Sequence, residues 1–354
     1  MTPSLVSICV PTRNRAASLR ESLKSICAQD YSPIEILISD NCSQDDTKQV
    51  CRELMRLDPR IRYVRHERNI GLHGNHNFCM AESRGEFVCI FHDHDVRDAR
   101  IVSDYVSFFE QHPNVGAVCS DWDLIDDAGR QIGVRDHDVN AVTPGLEYIE
   151  QTIRSGRTSI GIPGAMVRRS ALGEARFEPE APIGFGDFPL WCRVAETWDV
   201  GHIARRLWSW RQNSESHSAR VIESIAHDYA TNLGWYCDQH LTRWPGHADR
   251  VARWRANIRH YLFWALAYEV ALHFRKPTTA AGGGANRSVF EIMDYRLTPE
   301  QLRSALSQLR AYRTSAAEHM VYAGLRALIA MRLTWTVAWM SRHQAAIRTV
   351  LGLE

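Results

Sequence analysis

The sequence predicts an α/β fold: a mostly parallel sheet flanked by helices, followed by a helical C-terminal region. Short apolar runs alternate with segments of helical period through the first ninety residues, the pattern of βαβ units with right-handed crossovers. Strand ends one, two and four carry polar clusters, as they do where an open sheet faces a ligand crevice. Around 221–274 the chain reads as helices instead. A length of 354 residues, with 45% hydrophobic and 23% charged, is ordinary globular composition with room for two or three domains.

Leu5 to Val10 is the first strand. Pro11-Thr12-Arg13-Asn14-Arg15 breaks it, and Leu19, Leu23 and Ile26 then share one helical face before Asp30-Tyr31-Ser32-Pro33 ends the helix. Strand two, Ile34 to Ser39, stops at the polar loop 40–46, and Val50, Leu54 and Leu57 mark the next crossover helix. Strand three is Ile61 to Val64. Asn69-Ile70-Gly71-Leu72 leads into a helix ending near Arg84-Gly85, and strand four, Phe87 to Phe91, delivers His92-Asp93-His94-Asp95 at its carboxyl end. Val115 to Ser120 is a further strand, 124–132 a hairpin with a polar turn, and 160–166 leads into Val167-Arg168-Arg169, its glycines serving the backbone. Asp187 follows a glycine-rich turn and caps a helix in which Leu190 and Val194 recur at helical spacing, with Pro189 in the first turn.

Two carboxylates one residue apart, Asp93 and Asp95, put hard oxygens at a strand end, where Mg²⁺ or Mn²⁺ carrying a diphosphate would suit them. Alone, Asp-x-Asp serves equally to cap a helix. A parallel sheet, however, gathers Pro11 to Asn14, Asp40-Asn41 and the acidic motif along a single edge.

Those clusters resemble the family 2 glycosyltransferases in four stretches: Val6 to Asn14, Ser39 to Ser43, Asn69 to Leu72, and His92 to Asp95. The resemblance covers about residues 4–220 and implies a GT-A catalytic domain over 1–220, Rossmann-like, with a donor half to about 120 and an acceptor half from 121. It implies a metal-dependent, inverting, non-processive transfer from a UDP- or dTDP-sugar to a surface polysaccharide, a lipid-linked glycan or a small natural product. Pro11, Thr12 and Asn14 would line the donor pocket with Asn41, Asn69 and His94. Arg13, where relatives often carry an aromatic, would meet a phosphate. Asp40 would bond the base or ribose, Asp93 the ribose or metal, and Asp95 would be the principal ligand of Mn²⁺ or Mg²⁺. Asp187 would be the catalytic base, beside Gly186 where relatives usually carry an acid. A further metal-ligand histidine is replaced by Asn213, so His217 is expected to substitute, with Arg211 a phosphate contact. Asp121 and Asp123 flank Trp122, whose ring offers a stacking face for a sugar.

Other classes fit less well. A nucleotidyltransferase or dinucleotide oxidoreductase needs a glycine-rich phosphate loop after strand one, and 11–15 holds no glycine. A non-catalytic nucleotide-sugar sensor is the remaining alternative, since Gly186 and Asn213 depart from the pattern at the catalytic end. His66, His73, His76, His92 and His94 have zinc-compatible spacings but no paired cysteines, and read as surface or hydrogen-bonded groups. The nine cysteines lack C-x-x-C pairs and read as reduced core thiols, which with no signal peptide implies a cytoplasmic setting.

The formal charge of +1 carries no polyanion signature, and nucleic acid is not an expected partner. A helical extension over 221–275, a linker over 276–288 and a basic helical region over 289–354 complete the chain, with seven arginines against Glu318 and Glu354 after residue 302. Neither Tyr261 to Leu272 nor Val321 to Met340 reads as a membrane span. Trp335, Trp339 and the arginines suit a peripheral contact with an anionic membrane surface, on the inner face of the plasma membrane. The arginines are not confined to one helical face, which favours packing against the catalytic domain or a second copy in a homo-oligomer.

Overall fold

The computed structural model describes residues 3–156, 158–178, 186–212, 225–273 and 316–331, together with 307, 310 and 313. The chain forms two compact units, one of residues 1–152 and 158–222, the other of 153–157 and 223–354.

The first unit is built on one sheet. Its strands are β1 (Val6–Thr12), β2 (Ile34–Asp40), β3 (Ile61–Arg65), β4 (Phe87–Ile90), β5 (Val96–Arg97), β6 (Val115–Ile125), β7 (Gln131–Arg135), β8 (Val142–Thr143), β9 (Met166–Arg168) and β10 (Asp199–Arg211). They lie in the order β3-β2-β1-β4-β9-β6-β10-β5, with β7 on β6 and β8 on β10. The long ladders β3-β2-β1-β4 and β6-β10 are parallel; β9, antiparallel to both β4 and β6, joins them. Helices α1 (Ala16–Cys27), α2 (Thr47–Leu57), α3 (Gly71–Glu82), α4 (Ile101–Gln111), α5 (Gly145–Ser155), α6 (Arg169–Leu172) and α7 (Asp187–Ala195) make the crossovers and flanks.

Strands buried on both faces should be almost continuously apolar, and β1 and β4 are buried along their whole length. Leu19, Leu23 and Ile26 of α1 are fully buried against this sheet, as their spacing predicts. Leu57 is a correction: Val50 and Leu54 pack inward, but the last turn of α2 swings Leu57 outward to 79% exposure. The close-packed glycine reading holds at Gly164, in a 3₁₀ turn (Ile162–Gly164), where a Cβ would lie 2.4 Å from the Trp208 indole.

The second unit contains α8 (Ile225–Arg243), a 3₁₀ turn at Pro245–His247, α9 (Ala248–His273) and α10 (Ala316–Met331). Tyr229, Leu233 and Tyr236 of α8 and Trp254 and Phe263 of α9 form its buried face, and the fully buried Glu318 of α10 meets His260 at 3.0 Å. The expected linker over 276–288 and most of the basic region lie outside the described residues. No described helix is long and apolar enough to cross a membrane.

Candidate active site

Register brings the polar strand ends together. Thr12 stands opposite Asp40, which stands opposite Arg65, and β4 runs out at Ile90 opposite Cys9, so His92 to Asp95 emerge at the same edge. Here the loops are stitched to one another. The Asn14 side chain accepts the Gln44 N–H at 2.7 Å, and its own N–H reaches Ser43 Oγ at 2.9 Å. Asn41 accepts the Ile70 N–H at 2.8 Å and donates to the Gly71 carbonyl at 3.0 Å, while Asn69 Oδ1 accepts the Gly71 N–H at 3.0 Å. Asn14 (φ 53°) and Cys42 (φ 62°) both lie in the left-handed region, strain that the stitching sustains.

Asp40 is fully buried, and its own chain engages both oxygens. Oδ1 accepts the Ser43 N–H at 2.8 Å and Oδ2 the Tyr63 hydroxyl at 2.6 Å, with Arg65 Nε at 3.6 Å. Burial first, and then the bond to Asp40, pushes the Tyr63 phenol above its usual range. Asp40 thus holds the loop after β2, and a ligand would have to use its spare lone pairs. Pro11 is buried within β1 and Arg13 is exposed. Thr12 Oγ1 is buried with no hydrogen-bond partner, an unspent polar atom at the strand end.

The acidic motif is organised differently from its sequence reading. Asp93 Oδ1 takes His94 Nδ1 at 2.9 Å, so Asp93 orients a ring whose Nε2 lies 3.8 Å from Asp95 Oδ1. Burial opposes a charge on His94, but the Asp93 bond and the charges of Asp95 and Asp93 outweigh it and hold its pKa above the ordinary value. Burial drives His92 the other way, well below the usual histidine range. Its Nδ1 lies 4.0 Å from Asp95 Oδ2, and the Ser22 hydroxyl fixes its carbonyl at 3.0 Å. Asp95 is fully buried; Oδ1 accepts the Arg211 N–H at 2.9 Å, and Oδ2 has no hydrogen-bond partner. His92, His94 and Asp95 each offer a ligand atom, all within 4.8 Å of one another. A buried carboxylate with one oxygen near each imidazole, and with Oδ2 free of hydrogen bonds, fits a divalent ion, with Asp93 supporting from behind.

Sequence reading missed what holds Asp95. Arg97 Nη2 lies 3.6 Å from Asp95 Oδ2 and donates to the Pro163 carbonyl at 2.7 Å, and its guanidinium sits 4.4 Å from the Phe91 ring and 5.3 Å from the Trp208 ring. Arg97 lies in a two-residue strand, too short to leave a periodic signal. Arg211 is likewise committed to its own chain, since its guanidinium donates to the carbonyls of His94, Asp126 and Asp127 at 2.9–3.0 Å and to Glu21 at 2.7 Å. It builds the wall behind Asp95, so a phosphate would compete for donors already spent.

Asp187 is the first helical residue of α7, with Gly186 as the cap, one position on from the capping role read from sequence. Burial pushes its carboxyl up from 3.8 to about 6, against a partial pull from the backbone N–H groups of Asp187 and Ile162. The turn that carries Ile162 also carries the carbonyl anchoring Arg97, so one short segment serves both carboxylates. His217 and Asn213 lie outside the described residues. His66, His73 and His76 are engaged by hydrogen bonds, as expected: His66 with Ser39 at 3.0 Å, and His73 and His76 with the Glu178 and Leu72 carbonyls at 2.8 Å. The Trp122 ring packs against Trp208 at 5.0 Å and His137 at 4.8 Å, inside the protein's own aromatic stack.

Comparison with known proteins bears on the fold and the sequence of the first unit. Residues 7–175 match the family model described as glycosyl transferase family 2. A GalNAc(5)-diNAcBac-PP-undecaprenol beta-1,3-glucosyltransferase of Campylobacter jejuni is 38% identical over 112 residues, 31% of this chain and 35% of that protein. Staphylococcus aureus TarS 1-349 in complex with UDP-GlcNAc superposes with a TM-score of 0.60 at 16% identity, covering 96% of this chain and 92% of that one. The Pyrobaculum calidifontis mannosyltransferase PcManGT, in complex with GDP-Man and Mn²⁺, gives 0.53 at 16% identity, covering 100% and 89%. The fold is the GT-A architecture of these neighbours, and the family 2 match, residues 7–175, falls almost wholly within the first unit. The chain spans 26%, 35% and 28% of the length of the first three curated relatives it matches.

Proposed function

We propose that this chain is a metal-dependent, inverting glycosyltransferase that moves a sugar from a UDP- or dTDP-sugar to an acceptor hydroxyl. The observation that carries the reading is Asp95, buried beside His92 and His94 with Oδ2 accepting no hydrogen bond, at the edge where the strand ends converge. His92, His94 and Asp95 would hold the ion, and two nitrogen ligands favour Mn²⁺ over Mg²⁺. When bound, it would stabilise the negative charge that develops on the departing nucleoside diphosphate.

The chain's own groups divide the remaining work. Asp93 fixes the His94 ring. Arg97 holds Asp95 in place from behind. Asp187, with its pKa near 6, is poised as a base that is largely ionised at neutral pH, and would take the acceptor proton as the acceptor oxygen attacks the anomeric carbon. Thr12 Oγ1, Arg13 and the loops around Asn14 and Asn41 would receive the nucleotide. The relative acting on a PP-undecaprenol-linked glycan supports a lipid-linked glycan as acceptor, with a surface polysaccharide or natural product of the same hydroxyl chemistry as the other candidates.

Thermal-shift measurements on wild type and Asp95→Ala against UDP-, dTDP-, GDP- and CMP-sugars, with and without Mn²⁺, test this. Stabilisation by one nucleotide class that requires metal and vanishes in Asp95→Ala is expected. No stabilisation by any nucleotide in any metal would overturn the donor site. Slow release of free sugar from the same donor separates a transferase from a sensor, which binds without turnover.

A further inference from the structure

A second cluster of ligand-type side chains lies elsewhere in the first unit. Asp121 on β6 and His202 on β10 sit on neighbouring strands, and His137 lies just beyond β7. Asp121 Oδ1 is 3.0 Å from His137 Nδ1, 3.0 Å from His202 Nε2 and 2.9 Å from the His137 backbone nitrogen. All three ligand atoms lie within 4.8 Å of one another. Asp121 and His202 are 4% and 3% exposed, and the His137 side chain is 14% exposed, so His137 is the member of the cluster with most access to solvent.

We propose that Asp121, His137 and His202 form a second metal site, a two-histidine, one-carboxylate site for a borderline transition ion of the Zn²⁺ class, distinct from the His92–Asp95 cluster. The donor set suits such an ion, because imidazole nitrogens select it over Mg²⁺ or Ca²⁺. The spacing suits it too: donor atoms ~2 Å from a tetrahedral centre lie about 3.3 Å apart, close to the 3.0 Å between Asp121 Oδ1 and each ring nitrogen. Two ligands stand on adjacent strands, so little reorganisation is needed. Without metal, the two rings donate N–H to Asp121; with metal, each ring carries its proton on the other nitrogen and no net charge is lost.

The site's position gives it a task. His137 packs against Trp122 at 4.8 Å, Trp122 against Trp208 at 5.0 Å, and Trp208 beneath Arg97 at 5.3 Å. An ion here would stiffen the aromatic stack behind Asp95, a structural role independent of the donor site.

Co²⁺ titration of the chelator-stripped full chain tests the site, with d–d absorption and tryptophan quenching as readouts. Two backgrounds silence the first cluster, Asp95→Ala and His92→Ala/His94→Ala, so that one misfolded variant does not decide the outcome. In a folded background, one Co²⁺ per chain is expected, with visible bands and quenching of Trp122, and Zn²⁺ should raise the melting temperature. Adding His137→Gln or Asp121→Asn should abolish all three signals. Absence of Co²⁺ uptake in the silenced backgrounds, or uptake that survives His137→Gln and Asp121→Asn, would overturn the proposal and leave a hydrogen-bonded clamp.

Discussion

The two histidine–aspartate clusters share a composition and differ in construction. His92, His94 and Asp95 come from four consecutive residues at one strand end; Asp121 and His202 are separated by 81 positions and meet only because β6 and β10 pair. In the first, a buried cation balances the carboxylate and Oδ2 is left without a hydrogen bond; in the second, one oxygen accepts three donors. Charge balance keeps the first cluster open, whereas hydrogen bonding closes the second until an ion displaces its protons. Readiness to bind therefore depends on what backs the carboxylate as much as on which ligands surround it.

The largest expected effect separates the two at once. Asp95→Ala should cut transfer by about 10³-fold and lower unfolding stability by about 3–5 kcal/mol, because Arg97 is left as an unpaired buried charge. Urea melts should show Arg97→Met recovering part of that loss, and an equal loss in Asp121→Asn would erase the distinction. Asp187 adds a third case, a carboxylate with no cation beside it among the described residues. Asp187→Asn should abolish most transfer, by about 10²–10⁴-fold, and the wild-type rate should climb with pH through about 6 as the base ionises. Its pKa is higher folded than unfolded, so its stabilising contribution is complete below about 3.8 and is lost as pH rises through 6. Asp187→Asn should therefore gain on wild type above pH 6, by up to ~3 kcal/mol for a shift of two units, read from melts at pH 4 and pH 8.

Smaller effects sharpen the comparison. Asp93→Asn should weaken Mn²⁺ binding about 10–100-fold by freeing the His94 ring, leaving Co²⁺ uptake at the second cluster unchanged in the same titration. His137→Gln should cost the metal-free protein only about 1 kcal/mol in urea, the worth of one hydrogen bond.

The same contrast explains what the sequence revealed. β1, β2 and β4 are contiguous apolar runs with polar punctuation, so the strand ends and the motifs on them could be read directly. The α4 helix carried a legible stripe, Ile101, Val102, Tyr105, Val106 and Phe109, that the reading passed over. β10 was harder, because register shifts around Arg206 break the alternation of inward and outward side chains and leave Ala204, Arg205 and Arg206 all exposed. The local motif announced Asp95 but not its partners, since Arg211 reaches it through tertiary packing and Arg97, two residues on, is held against it by the distant Pro163 carbonyl. The roles of Asp93 and Arg211 changed for the same reason: neighbours invisible at the level of spacing had already claimed their polar atoms.

The seams among the first three strand-end loops constrain how this edge can evolve. Asn14 is sewn to residues 43–44 and Asn41 to residues 70–71, so exchanging any one loop with that of a relative tears a seam in its neighbour. A chimera intended to change nucleotide preference should transplant 11–14, 40–44 and 69–71 as one cassette. Arg13 is the exception: exposed and outside those seams, it can change by single steps without unpicking the fabric, and under the proposed donor role such steps would alter the taste in donors.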